Sequence, residues 1–585
     1  MKFLTMLFGA VLMSGDTIHQ HESDDRGQVR SLPAPGRPYG QAWIVMKALG
    51  WLLFILGCIT ALTTIVGVRL NYSPVPFWDQ WFGTVDWYMR AERDWWPAFW
   101  SLHNEHRLLF SRLIFWPDMH WFGGVNILSL TANVVVCAVL ALSVYRATVF
   151  RAVLPTAAKL AIAGISMAFC FSWMQSDNFT WGFQNQWFAV SLFALLAFHA
   201  LTVSASKGHS NGWFTLSLSA TTASTFSMAN GAFAWPLLIL LALYLRFSWR
   251  MLLIALIVAV SEGLAYFLHA NGATGSIPHG TFKYVIQHQP VDLVHYAVLY
   301  LGSPMWYAFH GFGLATAAGI LVVIGTATGF IVAIKRRDFK APSLLAFAGF
   351  LCLAALATGV GRLVLGLSNV FQPRYATNAL LAWMAILLFW SLNHRSRVVR
   401  QSLYLGFAVS LIAIAICQRA ALRPDQDVIF NRLVAGQAIR EHVYDHQYLG
   451  ILWDHDDYLK TVIEAARKQQ VSILAANAAG YDDPPTRIET TERCAGYIDR
   501  SIATDTPGYM RAEGWVFVRD DEPKTVAVID ADGNSVGSGV VGSYRPDAAA
   551  AMKTNNTRLG WIAFYKATSP VHVVAKTNGG YCRIN

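Results

Sequence analysis

Eleven apolar runs separated by short polar connections dominate the chain and leave it little choice of fold. They fall at 43–68, 127–144, 157–174, 187–203, 213–226, 232–245, 251–269, 312–334, 343–361, 376–392 and 403–417. A run near ~20 residues matches the hydrocarbon thickness of a bilayer, and a helix satisfies its own backbone polar groups there. The expected fold class is a polytopic α-helical membrane protein with about eleven transmembrane helices. Composition agrees, since 55% of residues are hydrophobic and only 14% charged, where a soluble domain carries about a quarter.

The net charge of +10 is read as topology. Lys and Arg gather in alternate connections: Arg146, Arg151 and Lys159; Lys207; Arg246 and Arg250; Lys335, Arg336, Arg337 and Lys340; Arg395, Arg397 and Arg400. Such loops are cytoplasmic by the positive-inside rule. The N-terminus is then cytoplasmic, loop 69–126 external, and an odd number of spans leaves the C-terminus external. No nucleic-acid partner is implied.

Three regions follow. Residues 1–42 read as a disordered cytoplasmic tail, because the apolar run from Phe3 to Met13 is too short to span. Residues 43–420 form the membrane part. Residues 421–585 form an exported C-terminal domain, helical over 425–475 and β-rich over 495–585, with turn spacing that suits a small antiparallel sandwich. The aromatics Trp515, Phe517, Trp561 and Tyr565 read as its core. Cys494 and Cys582 flank the β-rich part, and a disulfide between them fits an oxidising compartment. The other five cysteines lie in apolar runs.

Candidate chemistry concentrates in loop 69–126, which is long, aromatic and charged in a chain otherwise poor in charge. Asp79, between Trp78 and Gln80, is a candidate general base. In the cluster His103-Asn104-Glu105-His106-Arg107, Glu105 or His103 is a candidate partner for Asp79, and Arg107 a phosphate fork. On a helix these five side chains would not all face one ligand. Arg362 and Arg374, with Tyr375 beside the latter, sit at the external ends of two spans, where arginine is costly and usually functional. A second external loop, 175–187, combines amides with indoles, and Asn178, Trp181 and Gln184 are candidate sugar contacts. The break Ser227-Met228-Ala229-Asn230-Gly231 reads as a tight turn. Segment 283–300 reads as re-entrant or lying on the outer surface.

This layout resembles the GT-C superfamily of integral membrane glycosyltransferases. The resemblance rests on the span count, the acid soon after the first span (Trp78-Asp79-Gln80), the late external arginines and the outward C-terminal domain, and covers about residues 43–420. The HNEHR, WGFQNQW, SMANG and PRY stretches also resemble bacterial membrane proteins assigned to that superfamily. It implies a bacterial inner (plasma) membrane enzyme of polysaccharide biosynthesis. Such an enzyme moves a sugar from a polyprenyl-phosphate donor to a glycan or lipid acceptor of the cell envelope, with inversion. The family's Asp-Glu pair is met here only by Asp79, since Gln80 follows, and a divalent metal ion is the one cofactor the resemblance leaves open. A flippase, or a polymerase or ligase of lipid-linked glycans, is the alternative reading.

Overall fold

The computed structural model describes residues 38–267, 282–394, 396–453, 456–476, 478–490, 492–568 and 570–584. The expected tail therefore lies outside the described residues up to 37, and from Pro38 the chain is already helical.

Among the described residues, nine helices are long and apolar enough to cross a membrane. They lie within α1 (Pro38–Leu70), α3 (Ile127–Val149), α4 (Thr156–Cys170, running on to Thr180), α5 (Asn185–Ser206), α8 (Trp249–Phe267), α10 (Phe312–Lys335), α11 (Pro342–Arg362), α12 (Ala376–Asn393) and α13 (Arg397–Gln418), with α2 (Leu109–Trp121) in the first large loop. Two of the eleven expected spans are shorter. These are α6 (Asn211–Thr225) and the helix that ends with α7 (Ala234–Tyr244), and they pack as a pair joined by the turn at 227–231. The turn is close because a Cβ on Gly231 would collide with the Ser224 carbonyl.

Segment 283–300 belongs largely to α9 (Pro290–Phe309), which lies antiparallel beside the first half of α10. Gly302 rests against Ala315 there and Gly319 against Val298, so neither tolerates a Cβ. The same device seats α1 on α4 through Gly57 and Gly164; small residues let helices approach in lipid, where no hydrophobic force drives them together. Helices α4, α5 and α12 are the most buried of the nine. The C-terminal ends of α1, α4 and α11 and the N-terminal ends of α5 and α12 meet at one end of the bundle. Glu262, a carboxylate inside α8, accepts a hydrogen bond from the Trp235 indole and lies one turn before Tyr266, towards that same end.

The C-terminal region contains helices α14 (Gln426–Arg440), α15 (His446–Leu452) and α16 (Asp456–Gln469), then seven strands: β1 (Glu492–Ala503), β2 (Tyr509–Phe517), β3 (Thr525–Ile529), β4 (Ser535–Ser543), β5 (Gly560–Lys566), β6 (His572–Thr577) and β7 (Gly580–Ile584). Where turn spacing suggested two packed sheets, the strands close into one barrel in the order β1-β2-β5-β4-β3-β6-β7. The closing pair, β1 with β7, is parallel. Local turns predict antiparallel neighbours, and a parallel pair between the first and last strands is invisible to them. Cys494 on β1 and Cys582 on β7 are disulfide-bonded across this seam, with Cα atoms 5.5 Å apart. Trp561 and Tyr565 fill the barrel core, while Trp515 and Phe517 cover the small cluster of Ala548, Ala549 and Leu559.

The large loop and the C-terminal helices share one hydrophobic core. Trp81, Val85 and Trp87 are buried with Val434, Leu452, Ile463 and, from the barrel, Phe564. The C-terminal region is thus packed onto the loop that carries Asp79.

Candidate functional site

A cleft of about 800 Å³ opens where the helix ends converge. Asp79 reaches it by an unusual route. Trp78 takes a left-handed backbone, φ 47°, which a bulky residue adopts only when its surroundings impose it. Its amide donates to the Leu452 carbonyl at 2.9 Å, and its ring packs edge-on against Trp453. The C-terminal helices thereby hold the turn that aims Asp79 inward.

Asp79 keeps 27% of its side chain exposed, and its Oδ1 lies 3.6 Å from His103 Nε2. Burial in the cleft pulls its pKa upward. The His103 imidazole beside it, with the charges of Arg374 and Arg362, outweighs this and holds it below the usual carboxylate range. Asp79 is therefore an anion at neutral pH, already facing cations.

The HNEHR cluster is a tight turn rather than a helix. His103 and His106 exchange backbone hydrogen bonds of 2.8 and 2.9 Å, and Asn104 has φ 51°. His103, Asn104, Glu105 and His106 all border the cleft in consequence. Glu105 Oε1 lies 3.5 Å from both Arg362 and His106 Nε2. His106 Nδ1 accepts from the Ala229 amide at 3.3 Å, which leaves Nε2 as the protonated nitrogen facing Glu105.

Arg107 turns the other way. It is buried, donates to the carbonyls of Tyr266 (2.8 Å) and Trp100, and lies over the Trp100 ring. Those partners tie the loop to α8, and Arg107, expected to hold a phosphate, is not among the residues that border the cleft. Arg362 and Arg374 do border the cleft, with Tyr375. The Arg374 guanidinium lies over the rings of Trp181 and Tyr375.

The second loop divides in the same manner. Asn178 is fully buried and donates 2.8 Å hydrogen bonds to the Arg374 carbonyl and to Thr377 Oγ1. Expected as a sugar contact, it instead bonds the arginine segment and is not among the residues that border the cleft. Trp181 and Gln184 do border it, and the Trp181 indole donates to the Phe77 carbonyl at 2.9 Å, bracing the Asp79 turn.

Sequence reasoning missed Arg432. It lies on α14, outside the membrane part, yet borders the cleft with its guanidinium 3.8 Å from the centre of the Phe77 ring. Its Nε has no hydrogen-bond partner among the described residues. Burial lowers its pKa to about 10, opposed by the charge of Asp177. An arginine on an amphipathic helix looks like any solvated surface charge, and no sequence signal marks it.

The donor set does not suit a divalent ion. Among the described residues no group of three or more His, Cys, Asp or Glu side chains is placed to hold a metal. Gln80, where a second acid would stand beside Asp79, accepts from the Phe77 amide at 3.1 Å and donates to Asn126. It belongs to the loop's internal bonding. The assembled groups instead suit an anion, held by Arg362, Arg374 and Arg432, beside an ionised carboxylate able to take a proton.

No protein-family model matches the chain, and no curated protein matches it. Among solved structures it is similar to the archaeal oligosaccharyltransferase AglB from Archaeoglobus fulgidus, solved in complex with an inhibitory peptide and a dolichol-phosphate. The identity is 12% and the TM-score 0.38, over 76% of this chain and 62% of that one. The chain thus spans about 62% of the length of the protein it resembles.

Proposed function

We propose that the chain is a membrane glycosyltransferase that moves a sugar from a polyprenyl-phosphate donor to a glycan or lipid acceptor on the outer face of the membrane. One observation carries the reading: a single cleft at the end of the membrane bundle holds Asp79 beside His103 and within the fields of Arg362 and Arg374. Sidedness is supported by charge. The basic clusters at Arg146, Lys159, Lys207, Lys335 and Arg397 lie at the helix ends opposite the cleft, which by the positive-inside rule turns the cleft away from the cytoplasm.

Asp79 accepts the proton of the acceptor hydroxyl as its oxygen attacks the anomeric carbon from the face opposite the phosphate. The bond from that carbon to the phosphate oxygen breaks, and configuration inverts. The polyprenyl phosphate leaves with the bonding pair, its growing charge met by Arg362, Arg374 and Arg432. His103 steadies the Asp79 carboxylate, and Glu105 holds Arg362. The compartment is the inner (plasma) membrane of a bacterium, with the barrel domain outside.

The test is transfer from extracted polyprenyl-phosphate sugars in membranes carrying wild type or Asp79→Asn at equal levels. Loss of transfer with donor binding retained is expected. Full activity in the variant overturns the role of Asp79. A wild type inactive with every such donor overturns the glycosyltransferase reading in favour of a flippase.

A further inference from the structure

Three arginines gather at a corner of the bundle that the cleft does not use. Gly67, near the end of α1, meets Ala421 just beyond α13, where a Cβ on the glycine would lie 3.0 Å from that of the alanine. Arg69 stands two residues past this glycine, and Arg419 and Arg423 stand two residues on either side of this alanine. All three are exposed. None makes an ion pair among the described residues, and Arg419 Nε reaches only the Ile416 carbonyl, at 3.4 Å. The acids that follow are engaged. Asp425 accepts from the amides of Asp427 and Val428, and Asp427 pairs with Arg558. This corner lies at the cleft end of the bundle, opposite the basic clusters that set topology, so the positive-inside rule does not account for it.

Towards the bilayer centre both helices present uncovered apolar side chains. Leu62, Ile65 and Val66 of α1 are exposed, as are Leu405 and Ile412 of α13. Spacings of three, four and seven residues share one helix face. Arg69 therefore falls in line with Leu62, Ile65 and Val66, and Arg419 in line with Leu405 and Ile412. The two helices pack against each other near this end. Two neighbouring lipid-facing stripes thus each finish in a cation at the same end of the bundle.

We propose that Arg69, Arg419 and Arg423 hold the headgroup of an anionic phospholipid from the leaflet on the cleft side, with its acyl chains along the exposed stripes of α1 and α13. A guanidinium fork matches phosphate oxygens. A lone arginine at a helix end snorkels to any headgroup. A zwitterionic headgroup, however, carries an ammonium that offsets its phosphate. Three cations without an opposing acid favour the headgroup with net negative charge. The site also has a place in the architecture. Arg423 leads through Pro424 and Asp425 into α14, the helix that carries Arg432 to the cleft. The bound lipid steadies the joint between the bundle and the C-terminal region, whatever reaction the cleft performs.

The experiment offers the full chain, in bilayer discs, phosphatidylcholine and phosphatidylglycerol of identical acyl chains. Lipid retained on detergent extraction is read by native mass spectrometry, and cleavage at the joint before α14 by limited proteolysis. Wild type is expected to retain phosphatidylglycerol about tenfold over phosphatidylcholine, and phosphatidylglycerol is expected to slow cleavage at the joint. Arg69→Gln, Arg419→Gln and Arg423→Gln are each expected to cut the preference about fivefold. Inorganic phosphate added to phosphatidylcholine discs is expected to give no protection. Equal retention of both lipids by wild type reduces the arginines to snorkelling and overturns the inference without recourse to any variant. A preference that survives in all three variants places the headgroup elsewhere and overturns it too. Protection by inorganic phosphate equal to that by phosphatidylglycerol makes the corner a free-anion site and overturns the lipid assignment. None of these readouts involves sugar transfer, so the glycosyltransferase reading stands or falls separately.

Discussion

His103 Nε2 faces Asp79 Oδ1 at 3.6 Å, although the two residues stand on different turns of one loop. Gly83 makes the approach possible. A Cβ on Gly83 would enter the Phe183 ring and come within 3.1 Å of His103 Cε1. The carboxylate and the imidazole are thus set by packing of a buried glycine against a phenylalanine that is itself stacked on Phe115.

Gly83→Ala tests that arrangement. The added methyl must displace Phe183 or His103, and overpacking of this kind costs about 1–3 kcal/mol. Transfer activity is expected to fall more than tenfold while the protein still accumulates. A variant with wild-type activity and unchanged melting shows that the pair does not depend on this contact.

The pH dependence of transfer follows from the environment of Asp79. Its pKa is held down by His103, Arg374 and Arg362 against the upward pull of burial. A group with a depressed pKa stays ionised as pH falls, so the acidic limb of kcat/KM is expected below about 4, the ordinary range for Asp. Arg374→Gln removes one of the opposing charges, so the limb moves up. A profile measured from about pH 3 to 8 decides it, and a wild-type limb near about pH 6 contradicts the assignment.

Arg432 predicts a link between the C-terminal helices and donor binding. Arg432→Ala removes a cation from the cleft and a cation–π contact with Phe77, the latter worth about 0.5–2 kcal/mol. The expected result is a donor KM raised about tenfold with a smaller change in kcat, partly restored by Arg432→Lys. A uniform fall in protein level with unchanged KM in the surviving protein assigns Arg432 to packing alone.

Much of this was legible in the chain, and the exceptions have physical causes. Apolar runs report burial in lipid directly, so the polytopic fold was readable, and Asp79, Arg362 and Arg374 stood out because charge beside membrane helices is rare. What sequence does not carry is distance between remote segments. The order of loop 69–126 comes from helices more than 300 residues later, through Trp78 on Leu452 and Trp453. Arg107 and His103 are four residues apart, yet one is a strut and the other faces Asp79, because Asn104 adopts a left-handed turn that a helical reading of HNEHR does not allow. Asn does so more readily than most residues, and this was the only local hint.

The seam between α14 and the barrel makes the last prediction. Glu441, at the end of α14, accepts hydrogen bonds from Gln437 Nε2 at 3.2 Å and from Ser538 on β4. Burial lifts its pKa from 4.5 to about 7, with Asp483 adding to the rise and the two hydrogen bonds and Arg440 opposing it. A carboxyl with a raised pKa in the fold binds its proton more tightly folded than unfolded. Its contribution is fully present below pH ~4.5 and is lost as pH rises through about 7. The C-terminal region should therefore melt at a higher temperature at pH 5 than at pH 8, by an amount equivalent to at most about 3 kcal/mol. Glu441→Gln keeps the hydrogen bonds, removes the titration, and should flatten this dependence. Protease resistance of the C-terminal region across a temperature series, compared between wild type and variant at both pH values, reads the difference. If both proteins lose stability equally from pH 5 to 8, the dependence originates in other groups and Glu441 is not its source.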